Sequence, residues 1–156
     1  MGMEGYFFAL EFKSLKQEDI KEHLKEHCLI QPYKMPSGKL FKKYIVDRQR
    51  FTIDGKAVVR IYEEGGVSKT TFELCFTNFE NNLLYIFNVA KDLSLKSNSV
   101  SVVIYNQKYD FDEMLFEEFK SILIKAYKNK IKLFESEYGV INVDILPANF
   151  YKKYRK

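Results

Sequence analysis

Residues 51–76, FTIDGKAVVRIYEEGGVSKTTFELCF, contain two turn signals between three strand-forming segments. The dipeptide Asp54-Gly55 favours the positive backbone φ angles of a tight hairpin, and its flanks are strand formers. Gly65-Gly66 gives a second turn signal, after which Val67–Phe76 places alternate apolar side chains on one face. The stretch therefore predicts a meander of antiparallel strands.

Further strands are predicted on both sides of this meander, with clear alternation at Tyr6–Phe12 and Val100–Ile104 and mixed alternation at Leu40–Val46. These strands are Tyr6–Phe12, Leu40–Val46, Leu83–Val89, Val100–Ile104 and Val140–Ile145. Leu83–Val89 is a continuous apolar run, which is typical of a buried central strand. Pro32, Pro36 and Gly38 predict a loop before the second strand.

Two helices are expected. Ser14 and Gln17 have the spacing of a capping box, so the first helix should begin there and end near Cys28. The second helix should run from 111 to 134, because Asp110 and Glu113 have the spacing of an N-cap and its partner. Gly139 fits a stop signal after it.

Strands grouped between two helices predict an α+β fold. We expect a mostly antiparallel sheet of about six to seven strands with two helices packed on one face. No linker separates two units, so residues 1–146 are predicted to form a single globular domain, followed by a basic, aromatic C-terminal tail at 147–156.

Composition indicates a cytoplasmic protein. Glu11 and Lys13 interrupt the N-terminal apolar segment before the core of a signal peptide is complete. No apolar run reaches the ~18 residues of a membrane helix, so no membrane partner is expected. Cys28 and Cys75 are predicted to be reduced, buried thiols. The abundance of Lys, Asn, Ile, Phe and Tyr is typical of a bacterial chain.

Charge is distributed unevenly along the chain. There are 25 basic and 21 acidic residues, and the four cations of the last six residues account for the excess. A basic pole, suited to a protein or nucleic-acid partner, comprises Lys39, Lys42, Lys43, Arg48 and Arg50, with Lys152, Lys153 and Arg155 of the tail. An acidic pole, suited to a protein partner, comprises Asp110, Asp112, Glu113, Glu117 and Glu118. Poles of this kind steer charged partners, although solvated surface is the alternative interpretation.

Histidines supply the one candidate metal site. His23 and His27 are four residues apart, which places both side chains on one face of the first helix. A zinc site needs three or four ligands, and the sequence offers no third with suitable spacing. We therefore expect no metal and no cofactor, and treat His23 and His27 as weak candidates.

The sequence contains only partial matches to known catalytic motifs. The segment Gly65–Thr71 lacks the glycine spacing of a phosphate-binding loop. Glu11-Phe12-Lys13 matches half of a metal-dependent nuclease centre, which leaves a nuclease-like enzyme as an alternative. No Ser-His-Asp or Cys-His arrangement is present. We therefore predict that the chain is not an enzyme.

Function follows by elimination. The chain is predicted to be an intracellular protein-binding module, most specifically a bacterial immunity or antitoxin protein that occludes the active site of a cognate toxin. The alternative is a nucleic-acid-binding protein, because the segment 34–50 and the tail interleave cations with aromatic rings that stack on bases. The oligomeric state is left open.

Overall fold

A computed structural model describes residues 5–37, 43–76 and 79–139. Its strands are β1 (Gly5–Phe12), β2 (Ile30–Ser37), β3 (Lys43–Ile53), β4 (Ala57–Glu64), β5 (Val67–Cys75), β6 (Ser101–Ile104) and β7 (Gln107–Asp110). Its helices are α1 (Gln17–His27), α2 (Phe79–Ser94) and α3 (Phe116–Tyr138).

The described strands form one seven-stranded sheet in the order β2-β3-β4-β5-β1-β6-β7. Every neighbouring pair is antiparallel. The predicted α+β class, antiparallel sheet and strand number are therefore confirmed. The number of helices was wrong, since the described residues contain three rather than two.

One face of the sheet carries the core. Alternate residues of β1, from Tyr6 to Phe12, are buried together with their cross-strand neighbours on β5. Phe8 stacks on Phe72 and meets the ring of Phe119 on α3 edge to face. One continuous cluster joins this face to all three helices, so burial of apolar surface fixes the helices on this face.

The predicted hairpin turns are confirmed. Asp54 and Gly55 both have positive φ between β3 and β4, and Gly65 and Gly66 do so between β4 and β5. Asn106 and the residue before it repeat the pattern between β6 and β7. Such turns match the right-handed twist of the flanking strands, which is why these short sequences determine the connections.

The predicted strand Leu83–Val89 is wrong, because these residues lie inside α2. The buried positions of α2 include Leu83, Ile86, Phe87 and Ala90, which have the spacing of one helix face. A short apolar run alone does not distinguish a buried strand from a buried helix.

The predicted loop around the two prolines is also wrong, since Pro32 and Pro36 lie within β2. β2 is an edge strand, where a missing backbone N–H is tolerated, and its pairing with β3 shifts between Pro32 and Tyr33. β3 begins at Lys43 and continues to Ile53. The first residues of the strand predicted at Leu40–Val46 lie outside the described part.

The helix ends differ from the predictions at their N-termini. The residue before α1 is Lys16, and the hydroxyl of Ser14 instead lies 2.9 Å from that of Ser97. α3 begins after Leu115 rather than near 111, because β7 occupies Gln107–Asp110. The stop at Gly139 is confirmed, with φ of 75°. The strand predicted at Val140–Ile145 and the tail at 147–156 lie outside the described residues.

Candidate functional site

Arginines of neighbouring strands face each other on the side of the sheet opposite the core. Arg50 of β3 and Arg60 of β4 are direct cross-strand partners. The guanidinium of Arg50 lies 5.2 Å from the centre of the Tyr33 ring, and that of Arg60 lies 5.0 Å from the Tyr62 ring. Like charges directly opposite each other are destabilising in a sheet, so this pair needs an explanation.

Glu73 of β5 lies beside these arginines and is almost fully buried, with an exposed fraction of 3%. Its Oε2 is 3.9 Å from Nη1 of Arg50. Its Oε1 makes no hydrogen bond within the described part of the chain. Burial raises the pKa of the Glu73 carboxyl to about 7, and the charge of Arg50 opposes this shift. The carboxyl therefore keeps its proton to a higher pH than an exposed glutamate does.

A pocket of about 350 Å³ connects these side chains. It is lined by Phe7, Gln49, Arg50, Val58, Arg60, Tyr62, Thr71 and Glu73. Two cations, a buried carboxyl and two rings thus converge on one concave surface, which is the composition of a ligand-binding pocket.

The charged residues farther along the same face are paired with one another. Lys69 lies 3.5 Å from Glu11 and 2.9 Å from Glu64, and Lys108 lies 2.6 Å from Glu11. Arg60 differs, because its guanidinium has no ion pair with any residue that the structure describes. The Glu11 of the nuclease-like tripeptide is therefore engaged with two lysines.

A second cavity, of about 560 Å³, lies where β3 and β4 separate. The ladder between these strands runs from Ile53↔Ala57 only as far as Arg50↔Arg60. β4 nevertheless continues to Glu64, and among the described strands only β5 pairs with it there. We call this opening between the two strands the split. It is lined by Gln17, Glu18 and Lys21 of α1 and by Gln49, Phe51, Arg60, Ile61, Tyr62 and Glu63.

The split exposes backbone hydrogen-bonding groups of β4. Glu64 and Val67 flank a two-residue turn and are paired with each other, so the backbone groups of Glu64 and Tyr62 point toward β5. Alternation along the strand then directs the N–H and C=O groups of Ile61 and Glu63 toward the split. The two cavities share Gln49, Arg60 and Tyr62, so the split opens directly beside the arginine pocket.

The structure brings the predicted acidic pole together at the end of β7 and the start of α3. Asp110 accepts a hydrogen bond from the backbone N–H of Asp112, and Asp112 accepts one from that of Val100. These two carboxylates therefore stabilise the loop. Glu113, Glu117 and Glu118 are exposed around Leu115, whose exposed fraction is 74%.

Lys91 of α2 partly neutralises this acidic pole. Its ammonium donates hydrogen bonds to the carbonyls of Phe111 and Asp112 and lies 4.3 Å from the centre of the Phe111 ring. Burial lowers the pKa of Lys91, and the neighbouring Asp112 and Glu113 oppose this shift. The five residues of the predicted acidic pole therefore consist of two aspartates that stabilise a loop and three glutamates that are exposed on the surface.

Only Arg50 of the predicted basic pole has a described side chain. Lys43 and Arg48 lie on β3, where the structure describes the backbone alone. Lys39 and Lys42, and the tail residues Lys152, Lys153 and Arg155, lie outside the described residues. The pole as a whole therefore remains a prediction, while Arg50 belongs to the pocket.

The histidine pair lies on α1 as predicted, with ring centres 4.4 Å apart. His23 is buried, and burial, followed by the charge of His27, lowers the pKa of its imidazole. Within residues 5–37, 43–76 and 79–139, no group of three or more His, Cys, Asp or Glu side chains is placed to hold a metal ion.

Sequence reasoning missed Arg60, Glu73 and the split. Glu73 carried no distinguishing signal, since a polar residue between Phe72 and Leu74 fits the ordinary alternation of a half-buried strand. None of the described helices is both long and apolar enough to cross a membrane. The chain matches no known protein family, no curated protein and no solved structure.

Proposed function

We propose that the chain is a non-enzymatic protein-binding module that receives an extended segment of its partner in the split. The observation that carries this proposal is the edge of β4 at Ile61 and Glu63, which has no strand partner among the described residues and faces a cavity of about 560 Å³. An extended segment added to a free strand edge gains main-chain hydrogen bonds, while neighbouring pockets select its side chains.

The dimensions of the split suit such a segment. The four residues of β4 beyond the β3 ladder, 61–64, extend for about 13 Å. The first turn of α1 closes one side through Gln17, Glu18 and Lys21, and Phe51 and Ile61 supply apolar surface. Backbone groups, an apolar floor and a polar rim are thus present together, as in a protein interface.

In its most specific form, the proposal is that the chain acts as an immunity or antitoxin protein. The partner is then a toxin, and docking occludes its active site. The arginines beside the split favour an acidic surface on this partner, because complementary charge accelerates association. Arg60 is exposed for such an encounter.

Nucleic-acid binding is the second candidate function. It is favoured by the guanidinium–ring pairs of Arg50 with Tyr33 and of Arg60 with Tyr62, since arginine and aromatic side chains also stack on bases. Charge and base stacking dominate the binding of single-stranded nucleic acid, so a substitution that removes one backbone N–H at the edge of β4 separates the two functions.

The test compares two substitutions at one position. Glu63→Pro removes the backbone N–H that faces the split, whereas Glu63→Ala removes only the side chain. The tagged full-length chain is used to capture partners from the cells that produce it, with and without nuclease treatment and at low and high salt. We expect the wild type and Glu63→Ala to recover the same protein in stoichiometric amount, and Glu63→Pro to recover at least about tenfold less.

Two results would overturn the proposal. Equal recovery by Glu63→Pro would show that the partner does not use the β4 edge. Recovery of material that disappears after nuclease treatment and at high salt would assign the chain to nucleic-acid binding instead.

A further inference from the structure

The arginine pocket presents one guanidinium that no described carboxylate pairs with. This guanidinium belongs to Arg60, whereas that of Arg50 lies 3.9 Å from the buried carboxyl of Glu73. By contrast, Lys69 and Lys108 on the same face are matched by Glu11 and Glu64. Two opposed guanidinium groups above a concave surface form a site for an anion.

The carboxyl of Glu73 limits which kinds of anion can bind in this pocket. Its Oε1 is buried without a hydrogen-bond partner among the described residues and lies in the wall of the pocket. A buried polar atom without a partner is costly unless a ligand or water supplies one. When protonated, the Glu73 carboxyl can donate a hydrogen bond to an anionic oxygen.

Charge favours a carboxylate over a phosphate. A guanidinium presents parallel N–H donors that can pair with two oxygens of either group. A carboxylate carries a single charge, so it faces less repulsion from Glu73 than a phosphate dianion does. Phe7 and Tyr62 line the same pocket and supply rings to cover the rest of the ligand.

We propose that Arg50, Arg60 and Glu73 form a carboxylate-binding site, with Phe7 and Tyr62 covering the apolar part of the ligand. The carboxylate comes either from a small organic acid or from an acidic side chain of a protein segment in the adjacent split. The site itself does not depend on docking of a partner.

Nuclear magnetic resonance titration of the full chain tests the site. We expect benzoate to shift the Nε–Hε signals of Arg50 and Arg60 saturably, and neutral benzamide to leave them unchanged. Arg60→Met should weaken benzoate binding about tenfold or more, as expected for the loss of a charge-assisted pair. Lys13→Met is the matched control, because Lys13 is an exposed cation outside the pocket, and it should bind benzoate as the wild type does.

Two further ligands separate the sources of the carboxylate. Acetyl-Thr-Glu-Thr-amide is compared with acetyl-Thr-Gln-Thr-amide and with benzoate. Tighter binding of the Glu peptide supports a protein side chain as the natural ligand, and tighter binding of benzoate supports a small acid. Binding of neither, or equal binding of benzoate and benzamide, overturns the site, and tighter binding of inorganic phosphate overturns its carboxylate specificity.

Glu63→Pro separates this proposal from the preceding one. Residue 63 lines the split but not the arginine pocket. We therefore expect Glu63→Pro to bind benzoate with wild-type affinity even where capture of a protein partner is lost. An equal loss of benzoate binding in Glu63→Pro and Arg60→Met would contradict a distinct site.

Discussion

Glu73 stands opposite Phe7 of β1 and Val58 of β4. Its carboxyl is buried, and Arg50, at 3.9 Å, is its one ion-pair partner among the described residues. The charged groups that face it are Arg50 from β3 and Arg60 from β4, while β1 contributes the uncharged Phe7. Desolvation outweighs the opposing charge of Arg50, so the pKa of Glu73 is higher in the native state than in the unfolded chain.

This shift in pKa makes stability depend on pH. The pKa of Glu73 rises from 4.5 to about 7 on folding. Between these values the native state binds more protons than the unfolded state, so the free energy of unfolding falls as pH rises through this window. Glu73→Gln removes this titrating carboxyl. Relative to the wild type, its free energy of unfolding should therefore increase by up to about 3 kcal/mol as pH rises from 5 to 8.

Urea unfolding of both proteins at pH 5 and pH 8 checks this prediction. Other titrating groups cancel in the difference between the two proteins, which isolates Glu73. The prediction is wrong if the difference in unfolding free energy is the same at both pH values.

Lys91 supports a second prediction. Its ammonium binds two carbonyls of the loop between β7 and α3 and lies over the rings of Phe87 and Phe111. Lys91→Met keeps the length of the side chain but leaves these carbonyls without their donor, so it should cost roughly 1–3 kcal/mol of stability.

Lys125→Met is the control for Lys91→Met. Lys125 is an exposed lysine of α3, and its substitution should change the unfolding free energy by less than about 0.5 kcal/mol. Equal effects of the two substitutions in thermal or urea unfolding would show that Lys91 does not hold the loop.

The final residues of β4 carry the proposed edge. Glu63 and Glu64 are adjacent and exposed, but their backbone groups point to opposite neighbours. Glu64→Pro should therefore break the ladder with β5 and cost about 3 kcal/mol, whereas Glu63→Pro should cost about 1 kcal/mol or less. Urea unfolding of the two variants measures the difference, and equal costs would contradict this orientation of the strand.

The local elements could be predicted where a few neighbouring residues determine the backbone. Asp54-Gly55 and Gly65-Gly66 were sufficient for two hairpins because both central residues of each turn need positive φ. Leu83–Val89 was misassigned because its apolar run fits a buried helix face as well as a buried strand. β7 was missed because Gln107–Asp110 is short and polar.

The candidate site could not be predicted because it depends on register. Arg50, Arg60 and Glu73 lie on three successive strands. Only the register of β3 with β4 and of β4 with β5 brings their side chains together. The split likewise depends on where the β3–β4 ladder ends, which no local pattern indicates. Sequence reasoning selected Arg50 for its charge but not for its partners.

Across the molecule, the two charged regions lie on different parts of the sheet. The acidic pole adjoins β7 at one edge of the described sheet, whereas Arg50 and Arg60 lie on β3 and β4, beyond β1 and the central β5. This separation allows each region to be tested alone, because charges this far apart are largely screened from each other at physiological ionic strength.

Charge reversal identifies the region that steers the partner. Under the proposed function, Arg60→Glu should slow association about tenfold or more at low salt, and Glu117→Lys should leave the rate unchanged within about twofold. Stopped-flow kinetics with the captured partner measures both rates. A rate that falls with Glu117→Lys and not with Arg60→Glu would assign docking to the acidic pole instead.

Docking of a protein segment in the split is tested most directly by amide hydrogen exchange. Exchange is measured for the full-length chain alone and in complex with the protein that it captures. We predict that the amides of Ile61 and Glu63 become strongly protected in the complex, because a paired segment accepts their hydrogen bonds. Unchanged exchange at these two amides, with new protection confined to 113–118, would contradict the proposed docking.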